Sequence, residues 1–282
     1  MASACDNCPS AAGCTSQDSC EKKNQGITFE PMNVNSDIKT VIGVASGKGG
    51  VGKSFVTTAL AVKLASEGLK VGIMDADITG PSIPRAFGLK DMLMSTEENH
   101  IIPAKTKGGI SVVSLNLLLE DETSPVIWRG PVLSGLVRQF WTDVDWGMLD
   151  VLLIDMPPGT GDVPLTVFQS IPLDGLVLVS TPQDLVSMIV SKASNMAAMM
   201  KVKILGLVEN MAYTVCPHCG EKISLFGDDK ALEEASAQSG ILILDKMGLD
   251  PKSNALVDGG NAESLELSEI LTATADKIKE LL

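Results

Sequence analysis

Two groups of residues in this chain have types and spacing suited to chemistry: a glycine-rich loop and a set of clustered cysteines. The loop, residues 47–54, reads Gly-Lys-Gly-Gly-Val-Gly-Lys-Ser and fits the phosphate-binding pattern G-x-x-x-x-G-K-[ST]. Its glycines let successive backbone N–H groups converge on phosphate oxygens. Lys53 is expected to reach the β- and γ-phosphates, and the Ser54 hydroxyl to bind Mg²⁺. The predicted nucleotide-binding residues are Gly47, Lys48, Gly49, Gly50, Val51, Gly52, Lys53 and Ser54.

Three acidic residues directly follow predicted strands, at positions suited to binding a magnesium nucleotide. Asp75 and Asp77 follow an apolar run at residues 69–74, and Asp155 follows a second run at 149–154. In open parallel sheets, ligands bind at the carboxyl ends of the strands. Asp155 is therefore expected to hold Mg²⁺ directly or through water, and the other two carboxylates suit its water shell and the attacking water. The alternative for Asp75 and Asp77 is capping of a following helix.

The segment Cys216-Pro-His-Cys219 supplies two thiolates, whereas a tetrahedral zinc ion or a [4Fe–4S] cluster normally needs four. Three arrangements fit this deficit. His218 and another group complete the ligand set within one chain, or the two cysteines form a redox disulfide. In the third arrangement, two copies of the chain meet at a two-fold axis and contribute two thiolates each. Zinc is an alternative to iron–sulfur here, since C-P-x-C-G is also common in zinc sites.

The other cysteines lie close to the N-terminus, and they are Cys5, Cys8, Cys14 and Cys20. Four thiolates are enough for one [4Fe–4S] cluster per chain, and zinc is again the alternative. The segment around them, residues 1–36, has almost no aliphatic periodicity. We therefore expect a flexible cysteine-rich tail whose folding is coupled to a metal.

From residue 37 to residue 282 the chain is predicted to form one α/β domain. Strands are predicted at residues 40–45, 69–74, 110–115, 149–154, 175–179, 202–208 and 240–244. Helices are predicted at residues 53–66, 131–142, 163–170, 183–200, 228–238 and 263–281. Near-continuous aliphatic strands that alternate with helices predict a mainly parallel, doubly wound sheet covered on both faces.

The composition and net charge of the chain indicate which partners it can bind and where in the cell it is expected. Hydrophobic residues make up 45% of the 282 residues, which excludes disorder of the whole chain. The net charge of −13 argues against binding to nucleic acid or to an anionic membrane surface. No run approaches 18 apolar residues, and no secretory signal pattern is present at the N-terminus. We therefore expect a cytoplasmic protein, in which clustered cysteines favour metal or redox chemistry over disulfides.

The second lysine of the loop, Lys48, makes residues 47–54 resemble the deviant Walker A motif of the MinD, ParA and nitrogenase iron-protein class of ATPases. In that class the extra lysine reaches the phosphates of a partner subunit, so the resemblance implies ATP, a homodimer and an action of Lys48 in trans. It also implies that Asp77 positions water and that Asp75 lies near Mg²⁺. Asn210, predicted at the end of the strand ILGLVEN, is implied to contact adenine.

Residues from about 38 onward resemble the Mrp/ApbC/Nbp-type ATPases that carry or assemble iron–sulfur clusters. The resemblance rests on residues 47–54, 75–84 and 155–162, on Cys216-Pro-His-Cys219, and on Trp128-Arg-Gly-Pro131. It implies a [4Fe–4S] cluster held between two copies of the chain and transferred to apo-proteins. The tail fits the Nbp-type branch only in part, because Cys20 lies downstream where that branch has an upstream cysteine.

Three other functions compete with the carrier. A spatial-organisation switch of the MinD/ParA type would not need Cys216 or Cys219. An electron donor similar to the nitrogenase iron protein would keep its bridging cluster through turnover. A zinc-stabilised dimer with ATPase activity would hold a structural metal ion and have another role.

Overall fold

The protein is described here from a computed structural model covering residues 29–77, 82–91, 93–96, 100–118, 130–182, 195, 197–226 and 230–282. The apolar runs become strands because a central sheet buries them from both sides. The strands are β1 (Asp37–Ser46), β2 (Val71–Asp75), β3 (Met94–Ser95), β4 (Ile101–Ile102), β5 (Ala104–Lys105), β6 (Ser111–Ser114), β7 (Met148–Asp155), β8 (Gly175–Ser180), β9 (Ile204–Val215), β10 (Lys222–Ile223) and β11 (Ile243–Gly248).

Nine of these strands form one sheet in the order β10-β9-β8-β1-β7-β2-β6-β5, with β11 paired to β9. The pairings among β1, β2, β6, β7, β8, β9 and β11 are parallel. The pairings of β10 with β9 and of β5 with β6 are antiparallel. The mainly parallel sheet predicted from the sequence is confirmed.

Helices cover both faces of the sheet. They are α1 (Lys53–Ser66), α2 (Ser82–Ala86), α3 (Gly130–Thr142), α4 (Asp162–Ser170), α5 (Lys230–Ser239), α6 (Pro251–Asp258) and α7 (Thr272–Lys279). One core contains Phe140 of α3 and Phe168 of α4. The other contains Leu60 of α1 and Ile278 of α7. The fold is therefore doubly wound, as predicted.

The continuous helix predicted over residues 263–281 is wrong. Its sequence gives a short 3₁₀ turn at Ala262–Ser264, an irregular segment, and α7. Leu265 and Leu267 are buried while their neighbours at 266 and 268 are exposed, which is a period of two rather than of a helix. The carbonyls of Leu267 and Ser268 accept hydrogen bonds from the Nζ of Lys63, at 3.0 and 3.1 Å.

Two predicted strand boundaries are also wrong. The strand predicted at residues 202–208 extends to Val215 as β9, and the strand predicted at 240–244 lies at Ile243–Gly248 as β11. Both strands continue into polar residues because they pair with each other. The predicted helix at 183–200 falls largely on residues outside the described ranges.

Residues 29–36, the last part of the predicted tail, contact the α/β domain. The backbone N–H of Glu30 donates to Ser170 O at 2.9 Å, and the indole Nε1 of Trp141 donates to Glu30 O at 3.0 Å. The predicted boundary at residue 36 stays a prediction, and the cysteines of the tail lie outside the described residues. Across the described part of the chain, every helix is too short or too polar to span a bilayer.

Candidate nucleotide site and cysteine hairpin

The glycine loop connects the end of β1 to the start of α1, as the sequence predicts. Gly50 and Gly52 have φ values of 80° and 77°, a region that favours glycine. Gly52 immediately precedes α1, so the loop N–H groups and the helix N-terminus face the same space. That space is a cavity of about 570 Å³. The loop contributes Gly49, Gly50, Val51, Gly52, Lys53 and Ser54 to its lining.

Strand pairing brings two of the predicted carboxylates together. Asp75 ends β2 and Asp155 ends β7, and the two residues are directly paired in the parallel register. Ser114, which ends the next strand β6, pairs with Asp75 and donates a hydrogen bond to its Oδ2 at 2.8 Å. The carboxyl edge of the sheet therefore presents a row of oxygen-bearing side chains next to the loop.

Asp155 organises the charged centre of the site. Its Oδ1 accepts hydrogen bonds from Lys53 Nζ at 2.7 Å and from Thr57 Oγ1 at 2.8 Å. Its Oδ2 accepts a hydrogen bond from Ser54 Oγ at 2.6 Å. Hydroxyl and carboxylate oxygens are the ligands that Mg²⁺ prefers, so Ser54 and Asp155 fit a magnesium ion.

Burial and a neighbouring negative charge raise the pKa of Asp75 well above its usual value. Burial is the larger cause, and the carboxylate of Asp155 adds to it. The hydrogen bond from Ser114 and the charge of Lys53 act in the opposite direction. Asp75 therefore holds a proton more tightly than an exposed aspartate does.

Asp77 lines the cavity, and its Oδ2 lies 3.5 Å from Lys53 Nζ. Its backbone N–H donates to Asp75 Oδ1 at 3.1 Å, which ties the two acidic residues into one segment. Gly47 and Lys48 belong to the loop but are not part of the cavity lining. The backbone of Lys48 is fixed by Ser46, whose Oγ donates to the Lys48 carbonyl at 3.0 Å.

The segment after β7 also contacts the loop. Gly159, with φ of 86°, donates its N–H to the carbonyl of Ser46 at 2.8 Å. Pro158 lines the nucleotide cavity next to Gly49. Residues 158 and 159 are therefore in direct contact with the residues at the start of the loop.

Asn210 does not end a strand, contrary to the sequence prediction; it lies in the middle of β9. The longer strand results from pairing of its second half with β10 and β11. The Asn210 side chain is buried and its Nδ2 donates to the Val51 carbonyl at 2.9 Å. The structure thus places Asn210 against the phosphate loop, and the adenine contact stays a prediction.

Cys216 directly follows β9 and lies in a hairpin between β9 and β10. The N–H of Cys216 donates to Glu221 O and the N–H of Gly220 donates to Cys216 O, both at 2.9 Å. Gly220 has φ of 75°, which closes the turn. Cys216 is half-buried and Cys219 is exposed, and both are free thiols.

The hairpin favours the thiolate form of Cys216. Hydrogen bonds from the backbone of Cys219, and then of His218, lower the pKa of the Cys216 thiol. Within the described ranges, no three His, Cys, Asp or Glu side chains gather as a metal site. What Cys216 and Cys219 bind stays a prediction. Cys5, Cys8, Cys14 and Cys20 lie outside the described residues.

Several residues of the site were not predicted from the sequence. Thr57 lies one helical turn after Lys53 and therefore on the same face of α1. Its contact with Asp155, which Lys53 also contacts, could have been predicted from that spacing. Ser114 was detectable as the polar end of an apolar strand. Arg85 and Asn254 also line the cavity, and nothing local in the sequence marks them because α2 and α6 reach the site only through tertiary packing.

A glycine loop and lysine between a strand and a helix, facing an aspartate at the end of the neighbouring strand, define a P-loop nucleotide-binding protein. Residues 37–281 match the family model described as ParA, NUBPL iron-transfer P-loop NTPase. The chain belongs to this family.

Similar proteins carry related names. An iron–sulfur cluster carrier protein of Clostridium perfringens is 47% identical over 267 residues, which cover 90% of this chain and 93% of the relative. The cytosolic Fe–S cluster assembly factor CFD1 of Saccharomyces cerevisiae is 41% identical over 242 residues, covering 83% of this chain and 82% of the relative.

Solved structures agree with the fold. A nucleotide-binding protein of Archaeoglobus fulgidus in complex with ADP has 46% identity and a TM-score of 0.72, covering 81% of this chain and 89% of that one. The cell-division ATPase MinD of Pyrococcus furiosus has 20% identity and a TM-score of 0.58, covering 86% of this chain and all of that one. The second likeness concerns the fold alone.

Proposed function

We propose that this protein is a cytoplasmic, homodimeric ATPase that carries a [4Fe–4S] cluster and transfers it to apo-proteins. The observation that carries the proposal is the Cys216–Cys219 hairpin. It is a turn that favours thiolate, in a chain whose family transfers iron. Two copies of the hairpin would supply the four thiolates that a [4Fe–4S] cluster needs. The names of the similar carrier proteins support the same assignment.

The surface around the hairpin supports contact with a second copy. Four large apolar side chains on the hairpin and the residues just after it are at least 40% exposed, namely Val215, Ile223, Leu225 and Phe226. Grouped apolar side chains at a surface mark interaction sites. Their burial between two copies would also shield a bridging cluster from water.

Hydrolysis of ATP to ADP and phosphate would take place in the cavity beside the loop. Lys53 and the loop N–H groups would hold the phosphates, Ser54 and Asp155 would hold Mg²⁺, and Asp77 would orient the attacking water. Mg²⁺ supplies charge neutralisation on the phosphates. Lys48, outside the cavity lining of its own chain, would reach the phosphates of the partner.

Anaerobic reconstitution with iron and sulfide tests the proposal. Iron, sulfide and zinc are counted per chain for the wild type, for Cys216→Ser/Cys219→Ser, and for a chain that begins at residue 29. We expect the double substitution to remove about four irons per dimer. We expect transfer to an apo iron–sulfur protein to disappear with it.

Tightly bound zinc at about one ion per dimer, with no iron–sulfur absorbance, would contradict the carrier proposal and favour a structural metal. Loss of about four further irons per chain on removal of residues 1–28 would assign a second cluster to Cys5, Cys8, Cys14 and Cys20. The cut after residue 28 keeps residues 29–36 because they contact the domain.

A further inference from the structure

Strand β9 contacts both the phosphate loop and the cysteine hairpin. Near its middle, Asn210 donates its Nδ2 to the Val51 carbonyl at 2.9 Å. At its end, Val215 is followed directly by Cys216. Six positions separate Asn210 from Cys216, a span of at most about 20 Å at the rise of an extended strand.

The contact between β9 and the loop is close as well as polar. A Cβ on Gly52 would overlap the Nδ2 of Asn210 and would lie 3.5 Å from the Met211 methyl carbon. Asn210 is only 4% exposed. The loop and the strand are therefore packed without space between them, so that a shift of Val51 or Gly52 must displace Asn210 or break its hydrogen bond.

The strand is irregular at this contact. Met211 has φ of 57°, in the left-handed region that non-glycine residues seldom adopt. β11 pairs Lys246 with Glu209 and Gly248 with Tyr213, so β9 uses four positions where β11 uses two. Such bulges re-aim the chain next to functional sites, and strained backbone of this kind concentrates where a segment has to move.

The part of β9 beyond the bulge is tied to the wall of the nucleotide cavity. The N–H of Leu249 donates to Tyr213 O at 2.7 Å, and Thr214 Oγ1 donates to Leu249 O at 3.2 Å. Leu249 leads through Asp250 into α6, whose Asn254 lines the cavity. β9 is thus connected to the nucleotide cavity at two places, directly through Asn210 and indirectly through Leu249 and α6.

We infer that Asn210 is a positioning residue that couples the nucleotide state of the phosphate loop to the geometry of the Cys216–Cys219 hairpin. The inference deepens the proposed function and rests on it for the biological purpose of the coupling. The Asn210 amide holds the Val51 carbonyl, and the bulge at Met211 passes a displacement of the loop along β9 to Cys216. By this inference Asn210 acts on the phosphates through the loop rather than on the base.

Thiol labelling of the metal-free protein measures this coupling without any cluster transfer. The rate of alkylation at Cys216 is followed by peptide mass spectrometry, without nucleotide and with saturating MgATP or a non-hydrolysable analogue. We expect nucleotide to change the wild-type rate by about 5-fold or more, the range of a typical coupling between sites. In Asn210→Ala and in the similarly shaped Asn210→Asp, we expect the ratio of the two rates to approach 1.

Asn261→Ala is the matched control. The Asn261 Nδ2 also donates to a backbone carbonyl at 2.9 Å, that of Gly259, but this bond lies outside the phosphate loop, β9 and the hairpin, so the wild-type ratio should persist. Binding of ATP and of GTP is measured in parallel. We expect Asn210→Ala to change both affinities by the same factor, because the lost hydrogen bond is to the loop and not to the base.

Three results would overturn the inference. The first is a wild-type labelling rate that does not change when nucleotide is added. The second is a ratio of rates in the Asn210 variants equal to that of the wild type. The third is a loss of affinity for ATP but not for GTP, which would assign Asn210 to adenine instead. Each of them leaves the cluster-carrier proposal intact, since that proposal stands or falls on the reconstitution experiment. Wild-type labelling alone can refute the coupling even where an Asn210 variant does not fold.

Discussion

Lys53 and Asp155 form a buried ion pair, with the lysine Nζ 2.7 Å from the aspartate Oδ1. The Lys53 side chain is 5% exposed and that of Asp155 is fully buried. The charge that would bind phosphate is therefore balanced by the carboxylate that would bind Mg²⁺. A magnesium nucleotide brings both opposite charges at once, so that it can replace this internal pair without leaving a buried charge uncompensated.

Lys53→Met should lose both nucleotide affinity and stability. We expect ATP to bind about 10- to 100-fold more weakly, since charged hydrogen bonds contribute about 1.5–3 kcal/mol. We expect the free energy of unfolding to fall by about 3 kcal/mol because Asp155 keeps its burial but loses its cation. Calorimetric titration and urea unfolding measure the two effects.

Lys39→Met is the control for that experiment. Lys39 pairs with Asp150 at the same 2.7 Å, but its side chain is 61% exposed. A solvent-exposed ion pair contributes little to stability because water and salt screen it, so this variant should unfold close to the wild type. Equal losses for the two variants would show that burial of the Lys53 pair has no energetic consequence.

Asp75→Asn should stabilise the nucleotide-free protein more at high pH than at low pH. The folded-state pKa of Asp75 is raised, so the folded state binds this proton more tightly than the unfolded state. The contribution of Asp75 to wild-type stability is then fully present below its unfolded pKa, about 3.9, and is lost as pH rises through the folded pKa. Asparagine does not titrate, so the difference in Tm between variant and wild type should grow from pH 5 to pH 8. A constant difference over that range would argue against the raised pKa.

Lys48→Ala should retain ATP binding but lose hydrolysis by about 100-fold or more, as on removal of a donor to transition-state charge. Lys48 is not part of the cavity lining of its own chain. A mixing experiment tests whether it acts in trans. Lys48→Ala and Asp77→Asn chains are each expected to be inactive alone, and mixed dimers should regain activity because one of their two sites is complete. Absence of recovery in verified mixed dimers would place Lys48 in its own site.

Gly52→Ala and Gly50→Ala should separate steric contact from backbone strain. Both glycines have left-handed φ values, of 77° and 80°. An added Cβ at Gly52 meets Asn210, whereas at Gly50 nothing lies within 4 Å. We expect a loss of about 1–2 kcal/mol for Gly50→Ala from conformation alone, and a clearly larger loss for Gly52→Ala. Thermal unfolding measures both, and equal losses would mean that the contact with Asn210 relaxes freely.

The nucleotide site was predictable from sequence because its determinants are local. The order of strand, glycine loop and helix fixes Gly52 and Lys53 relative to each other within a few residues. Asp75 and Asp155 were predictable because both end apolar strands, and strand ends of a parallel sheet share one edge. The fold class follows from the same alternation of buried strands and helices.

Features set by distant pairing were not predictable. Asn210 looked like the end of a strand because apolar residues give way to polar ones there, yet pairing with β11 carries β9 on to Val215. Residues 263–281 have helical spacing, but Leu265 and Leu267 fill the core as an extended segment and Leu271 adopts φ of 57°. Tertiary contacts override local pattern in both places.

The number of residues in β9 between Asn210 and Cys216, including those of the bulge, determines the face of the sheet on which Cys216 lies. Side chains of a strand alternate between its two faces, so adding or removing one residue there would turn Cys216 to the opposite face of the sheet. The spacing of Cys216 and Cys219 constrains the start of the turn that follows. Natural variation in length should therefore be excluded from residues 210–219.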